Sequence, residues 1–538
     1  MEILKGIGVG DGIAVGRLLI LDSDRQGTET AALSPEEEWS RYCAAKEQTA
    51  RELRCLYDKA LSEAGEDAAE IFSMHEMLLD DDDFTDLVRT CIQNGKMGAE
   101  RAVQEAGEQL SKEFEALEDE YMRARAADFR DIARQVAAVL RGETEQTPEL
   151  SRPAIVAAED LTPSQTIRLD KSKILALVTH RGTANSHTAI LARSLQIPAL
   201  IGVELRPDWN GALAVLDGGA QTLVLAPEPG LLREYEGKLE AQTARREEWR
   251  ALIGQPNITR GGRSIQVFAN AGGLEDLDAV CANDAGGIGL FRTEFVFLGS
   301  DHWPDEEEQF ALYSGILGRM QGKRVIFRTI DLGADKQAGY CDWPNEENPA
   351  LGIRGIRLCL RSPEIFRTQL RALFRASAFG PMGIMYPMII SEEGVDRVRV
   401  LSAGVRQELL EEGVPVGEPE EGIMIETPAA ALLTDRLAPR VDFFSIGSND
   451  LTQYTLALDR QNPNLAEFFQ PHHEAVLRLI QMTVENAHAA GIWCGICGEL
   501  GADLALTERF LRLGIDELSV SPGAILPLRS RIRALDTP

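Results

Sequence analysis

The residues with the means for group-transfer chemistry begin with His187, in the run Thr183-Ala184-Asn185-Ser186-His187-Thr188-Ala189-Ile190-Leu191-Ala192-Arg193. Ser186 is a natural N-cap, and Ile190, Leu191 and Leu195 recur at helical spacing behind it, so the imidazole is expected in a first helical turn, facing out. Free backbone N–H groups and the positive end of the helix dipole keep an imidazole there neutral and nucleophilic, and favour a phosphoryl group placed on it. A polar residue that merely starts a helix gives the same pattern.

A second set lies in the C-terminal half, where polar residues follow apolar runs of strand length: Asn270, Arg292, Arg328, Glu426, Asn449 with Asp450, and Cys497. Arg292, Arg328 and Arg460 with the oxygen donors Glu426 and Asp450 suit a clamp for a phosphate and a magnesium ion. Magnesium needs only one or two carboxylates and completes its octahedron with substrate oxygens and water. Surface salt bridging competes as an account of any single arginine, less so of the set. Cys494-Gly495-Ile496-Cys497 has redox spacing, but it comes late in a long strand–helix alternation, so Cys494 is expected to be packing. His472-His473 has no nearby carboxylate or cysteine and reads as a solvated helix start.

These side chains need elements to position them. Beyond Pro256, eight apolar runs (265–269, 286–290, 324–327, 383–387, 422–425, 441–446, 491–496 and 517–520) alternate with helix-length stretches, which is the pattern of a (β/α)8 TIM barrel. Its mouth, at the strand ends, should hold the site. Residues 34–142 read as an all-α bundle: Ser34-Pro35-Glu36-Glu37 is a helix start, and one long helix is expected from about 99 to 140. The glycines of 6–12 are turns between two short strands, since no Walker lysine-serine follows. Those strands and the runs 154–157, 174–178, 200–201 and 223–225 predict one α/β domain, from 1–22 and 149–226, into which the bundle at 34–142 is inserted. Residues 229–255 read as a linker helix, and 256–538 as the barrel.

Composition narrows the partners. The 538 residues carry 55 Lys plus Arg against 85 Asp plus Glu, a formal charge of −30, which disfavours nucleic acid and anionic membrane. No apolar run approaches the roughly 20 residues that span a bilayer, and the N-terminus lacks a signal-peptide core. The eight cysteines are scattered, as in a reducing compartment, so a cytoplasmic protein is expected.

Ser186-His187-Thr188-Ala189, followed by Ala192-Arg193 and Ile197-Pro198-Ala199, resembles the phosphohistidine signature of enzyme I of the phosphoenolpyruvate:sugar phosphotransferase system. Pyruvate phosphate dikinase and phosphoenolpyruvate synthase share that signature. Before it, His180-Arg181-Gly182-Thr183-Ala184-Asn185 departs from the family's Gly-Gly-Arg. Further motifs resemble enzyme I in family order: Gly289-Leu290-Phe291-Arg292-Thr293-Glu294, Arg328-Thr329-Ile330-Asp331-Leu332-Gly333, Asn348-Pro349-Ala350-Leu351-Gly352-Ile353-Arg354, Met424-Ile425-Glu426-Thr427-Pro428, Gly447-Ser448-Asn449-Asp450-Leu451-Thr452, Asp459-Arg460 and Cys497-Gly498-Glu499. Ser448 and Ala334 replace the usual Thr and Gly.

The resemblance implies autophosphorylation of His187 by phosphoenolpyruvate, release of pyruvate, and transfer to a histidine of the phosphocarrier protein HPr. It implies a swivelling phosphohistidine domain and a homodimer through the barrel. By the same resemblance Glu426 and Asp450 would hold Mg2+, and Arg292, Arg328, Arg460 and Asn449 would bind the phosphate. Arg354 would face the substrate carboxylate, and Cys497 would protonate the enolate carbon. HPr would dock on the helical domain around Glu70–Asp83, where Met74, Met77 and an acidic run suit a basic, partly apolar partner; His75 is read as a packing or rim residue. A dikinase or synthase would need an ATP-binding domain, which no stretch resembles. A non-catalytic HPr-binding regulator on this fold is the other reading, against which the intact Arg, Glu, Asp and Cys set argues.

Overall fold

The computed structural model describes the chain except residues 11, 22–32, 65, 95–96, 116–125, 143–149, 151, 162–164, 166–168, 182–187, 190–191, 193–196, 301, 334–339, 341–345, 347, 461, 463–464, 466–467 and 538, and the side chains of 61–70, 115 and 126–127. His187, with Ser186 before it, therefore lies outside the described residues, as do Ala334 and the side chain of Glu70. The chain divides into two compact units, 1–244 and 245–538.

The first unit holds a sheet of β1 (Glu2–Lys5), β2 (Ile7–Val9), β3 (Ile13–Leu21), β4 (Ala154–Ala158), β5 (Ile174–Thr179), β6 (Ala199–Ile201), β7 (Leu213–Asp217) and β8 (Thr222–Leu225). The N-terminal segment thus gives three strands where two were expected. The order is β1-β8-β7-β3-β4-β5-β6-β2, so Gly6 alone separates two strands at opposite ends of the series. The sheet must curl until its edges meet there. A Cβ on Gly6 would come within 2.6 Å of the Ile201 carbonyl oxygen, so only glycine fits. Ile155 and Ala157 pack on one face of β4, Val156 and Ala158 on the other, each into its own core. β7 was missed because Leu213-Ala214-Val215-Leu216 is a short run close behind a turn.

β3 and β4 are parallel neighbours, with Leu21 opposite Ala158. The chain between them contains the helices α1 (Pro35–Ala64), α2 (Glu66–Leu79), α3 (Asp82–Gln93), α4 (Ala99–Glu115) and α5 (Ala126–Leu140). α1 starts on the anticipated capping box, with Ser34 donating from N and Oγ to Glu37 at 2.9 Å. The single helix expected over 99–140 is two helices packed on each other. Phe114 and Phe129 rings lie 5.0 Å apart, and a Cβ on Gly107 would reach 2.5 Å from that of Ala133. The apolar stripe Ala102, Val103, Ala106 and Leu110 finds its partner in Phe129, Ile132 and Val136, a pairing that the sequence does not disclose because no Gly or Pro stands between the two stripes. α6 (Pro229–Arg250) buries only Tyr235 among its described residues, and the division between the units falls within it.

The second unit is a closed barrel of β9 (Gln266–Ala271), β10 (Ile288–Arg292), β11 (Val325–Arg328), β12 (Met382–Tyr386), β13 (Glu420–Ile425), β14 (Phe443–Ile446), β15 (Trp493–Ile496) and β16 (Glu517–Val520), with every neighbouring pair parallel. Each expected strand lies within two residues of an observed one. Inside the ring, Leu290, Ile326, Met385, Met424, Phe443 and Cys497 form a small apolar core, while a much larger one seals strands against the outer helices. Among the described residues no helix is long and apolar enough to cross a membrane.

Candidate active site

The parallel barrel carries its strand ends to one rim, and register fixes which side chains meet there. Arg292 and Arg328 are the last residues of β10 and β11 and are paired positions. Ile425, Ile446 and Ile496 are paired across β13, β14 and β15, so Glu426, Gly447 and Cys497 each stand one residue beyond. Gly447 N donates to Ile425 O and Cys497 N to Ile446 O, both at 3.1 Å. Gly447 opens α7 (Ser448–Leu456), whose first turn bears Asn449 and Asp450 at the positive end of the helix.

A buried ion network joins these groups. Arg328 donates from Nη2 to Glu294 and lies 3.1 Å, through Nη1, from Asp331 Oδ2. Arg354 donates from Nε to Asp331 Oδ1 at 3.2 Å and from Nη2 to Asp331 Oδ2 at 2.8 Å; Nη2 also lies 3.4 Å from Asp450 Oδ2. Arg460 approaches Asp450 Oδ1 at 3.8 Å. Burial works against the charge of Arg328 and Arg354, but the surrounding carboxylates more than offset it, so both guanidiniums are held more firmly protonated than usual. Arg292, half-buried, stands over the Phe295 ring. Asn449 is paired with Glu499 in both directions, donating from Nδ2 to Oε1 at 3.3 Å and accepting from the Glu499 amide at 3.0 Å.

The carboxylates suit a hard cation. Glu426 accepts from the Met388 amide at 2.6 Å through one oxygen, while the other is buried without a hydrogen-bond partner. Burial first, then repulsion from Asp331 and Asp450, pushes its carboxyl up to about 8 against the pull of Arg328 and Arg354. A divalent ion would replace that proton and satisfy the orphaned oxygen. Among the described residues no group of three or more His, Cys, Asp or Glu side chains gathers as a ligand cluster, so a cation here would rely on two carboxylates and on oxygens from elsewhere.

Cys497 is buried in the apolar inner core, and burial above all pushes its thiol up to about 12, so it is neutral and holds a proton at any working pH. Cys494 is fully buried, and burial raises its thiol well above the ordinary value too, the opposite of the low-pKa pair that redox exchange needs. Its packing role agrees with expectation.

His472 corrects the reading of the sequence. Its Nε2 pairs with Asp503, a carboxylate 31 residues away that only folding brings near. His473 does start a helix, capping α8 (Glu474–Ala490) by accepting from Ala475 N at 3.2 Å. In the bundle His75 is fully buried, with Nε2 3.1 Å from Asp128 Oδ1, so it is packing rather than rim. Met77 is 73% exposed beside half-buried Met74, while Asp81 of the acidic run is spent on capping α3 through the amides of Asp83 and Phe84.

Sequence reasoning passed over Glu294, Asp331 and Tyr454, all in contact with the arginines. A signal existed: an acid follows each strand-end arginine at two or three residues, in Arg292-Thr293-Glu294 and Arg328-Thr329-Ile330-Asp331.

The chain matches three families in succession: the PEP-utilising enzyme N-terminal domain over residues 5–125, the mobile domain over 150–221 and the PEP-binding domain over 246–537. It is 40% identical over 537 residues to a protein named phosphoenolpyruvate-protein phosphotransferase from Bacillus sp. (strain S), covering 99% of this chain and 93% of that one. Proteins of the same name from Bacillus subtilis (strain 168) and Geobacillus stearothermophilus are also 40% identical, over 99% of this chain and 95% and 93% of theirs.

Proposed function

The chain belongs to the phosphoenolpyruvate-protein phosphotransferases, and from that membership we propose that it takes the phosphoryl group of phosphoenolpyruvate onto His187, releases pyruvate, and passes the phosphoryl group to a histidine of HPr. The observation that carries the first half-reaction is the buried Arg328–Asp331–Arg354 network beside Glu426 and Asp450 at one rim of the barrel. Such a set holds an anion rich in oxygens in one orientation, which is most of what phosphoryl transfer asks of a protein.

Arg292, Arg328, Arg460 and Asn449 bind and orient the phosphate, and Arg354 faces the carboxylate. Glu426 and Asp450 hold Mg2+, which when bound spreads the charge of the moving phosphoryl group. The phosphorus–oxygen bond to the enol breaks as a bond to an imidazole nitrogen of His187 forms. Cys497 Sγ, neutral in its apolar setting, gives its proton to the enolate carbon to make pyruvate and then recovers one, because a buried thiolate is unfavourable. The apolar floor of Leu290, Met385 and Met424 keeps water from competing at that carbon.

The outer face of α2, with exposed Met77, and the acidic residues around it are the HPr docking surface, and the barrel is the homodimer interface. The seven described cysteines are free thiols, in keeping with a reducing cytoplasm.

Intact-protein mass after mixing with phosphoenolpyruvate and magnesium tests the reading, with His187→Ala and ATP-only controls. A single phosphoryl increment on the wild type, absent from the variant and accompanied by pyruvate, is expected. A folded wild-type protein that gains nothing would move the assignment to a non-catalytic regulator.

A further inference from the structure

Asp331 and Glu294 bind no substrate in the reaction just described, yet both are buried among the arginines that do. Asp331 sits three residues past Arg328 and is ion-paired with two guanidiniums at once. Its Oδ2 lies 3.1 Å from Arg328 Nη1 and 2.8 Å from Arg354 Nη2, and its Oδ1 lies 3.2 Å from Arg354 Nε. Glu294 takes the remaining Nη2 of Arg328. The surrounding backbone is shaped to admit the carboxylate: Gly355 has φ 57°, and a Cβ there would come within 3.1 Å of Asp331 Oδ1, while one on Gly333 would come within 2.4 Å of the Arg354 Cβ. Arg328 Nε, by contrast, is buried with no hydrogen-bond partner in the described structure. A buried donor without an acceptor is costly unless a ligand supplies one.

We infer that Asp331 is a positioning residue for the phosphoenolpyruvate half-reaction, locking Arg328 and Arg354 into one rigid pair that presents donors to the oxyanions of the substrate. The inference rests on the functional reading given above. Two guanidiniums bridged by one planar carboxylate cannot rotate independently, so the rotamer entropy of two long side chains is lost on folding rather than on binding. The bridge also reduces the repulsion of adjacent cations that would otherwise splay apart before the substrate arrives. Glu294, paired with Arg328 Nη2, supports the same arrangement.

The test compares full-length wild type, Asp331→Asn and Asp331→Glu. Phosphoenolpyruvate affinity is measured by calorimetry with magnesium, the phosphoenolpyruvate KM by phosphoenzyme formation, and phosphoryl transfer from pre-phosphorylated protein to HPr as a control remote from the barrel. Asp331→Asn is expected to weaken affinity and raise KM at least about tenfold, as a misplaced clamp would, with transfer to HPr unchanged. Asp331→Glu keeps the charge but moves it by a methylene, and should fall between the two; it decides the matter where Asp331→Asn does not fold. Wild-type affinity in a folded variant overturns the inference, and so does an equal loss in both half-reactions, which would mark general destabilisation. A wild-type protein that neither binds nor reacts with phosphoenolpyruvate overturns the functional reading and this inference with it, whereas normal wild-type behaviour beside an unaffected variant sinks the inference alone.

Discussion

Arg292 and Arg328 occupy paired register positions at the ends of neighbouring parallel strands, yet one is half-buried and the other almost wholly enclosed by Glu294 and Asp331. Two arginines with one place in the architecture thus have different surroundings. The consequences of removing them should differ accordingly.

Arg292→Ala is expected to leave stability within about 0.5 kcal/mol of wild type, because no buried carboxylate depends on it as Glu294 and Asp331 depend on Arg328, while slowing phosphoenzyme formation at least about tenfold. Arg328→Lys should slow it comparably and also lower stability by roughly 1–3 kcal/mol, because a compact ammonium cannot satisfy two buried carboxylates that a planar fork bridges. Denaturant melts beside single-turnover phosphorylation separate the two effects. Equal stability losses would mean that the network around Arg328 is not held as described.

Cys497 should resist alkylation. A thiol at about 12 rather than near 9.0 offers roughly a thousandfold less thiolate at pH 8, before access is considered. Peptide mapping after iodoacetamide treatment should show exposed Cys55 and Cys281 modified early and Cys497 modified only once the protein is unfolded. Rapid labelling of native Cys497 would rule out a protonated, buried acid.

Glu517 provides a test of pH dependence away from the site. It opens β16 and faces the barrel interior, where a Cβ on Gly289 would collide with its carboxylate. Burial, with help from Glu420 and Asp516 and against Arg324, pushes its carboxyl up to about 8. Between its ordinary value of 4.5 and 8 the folded protein holds a proton that the unfolded chain releases. Its stabilising contribution is therefore full below about pH 4.5, falls by about 1.4 kcal/mol per pH unit on the way up, and is gone above about 8. Glu426 without a cation has the same sign, so the informative quantity is a difference. The melting temperature of Glu517→Gln minus that of wild type should climb from pH 5 to pH 8; a flat difference would refute the buried neutral carboxyl.

Much of this protein was legible because its signals are local. Alternation of apolar runs with helix-length stretches locates the barrel strands, since a strand buried on both faces must be apolar throughout. An abrupt change to Arg, Glu or Cys marks where several of the strands leave the ring, as at Arg292, Arg328, Glu426 and Cys497. Ser34 and Glu37 mark a helix start because capping takes place within one turn.

The sequence by itself determined the kinds of side chain at the barrel rim and their order around it, because in a parallel barrel chain order sets neighbour order. Only the tertiary structure decided how they are connected. Asp331 bridges Arg328 and Arg354, Arg354 reaches Asp450 across 96 positions, and Asp503 finds His472 across 31. It also decided that the helices Ala99–Glu115 and Ala126–Leu140 pack on each other, since two amphipathic helices bury their stripes on each other as readily as on a third partner. Ion pairing and apolar burial depend on distance in space, and no local pattern records which distant residue closes that distance.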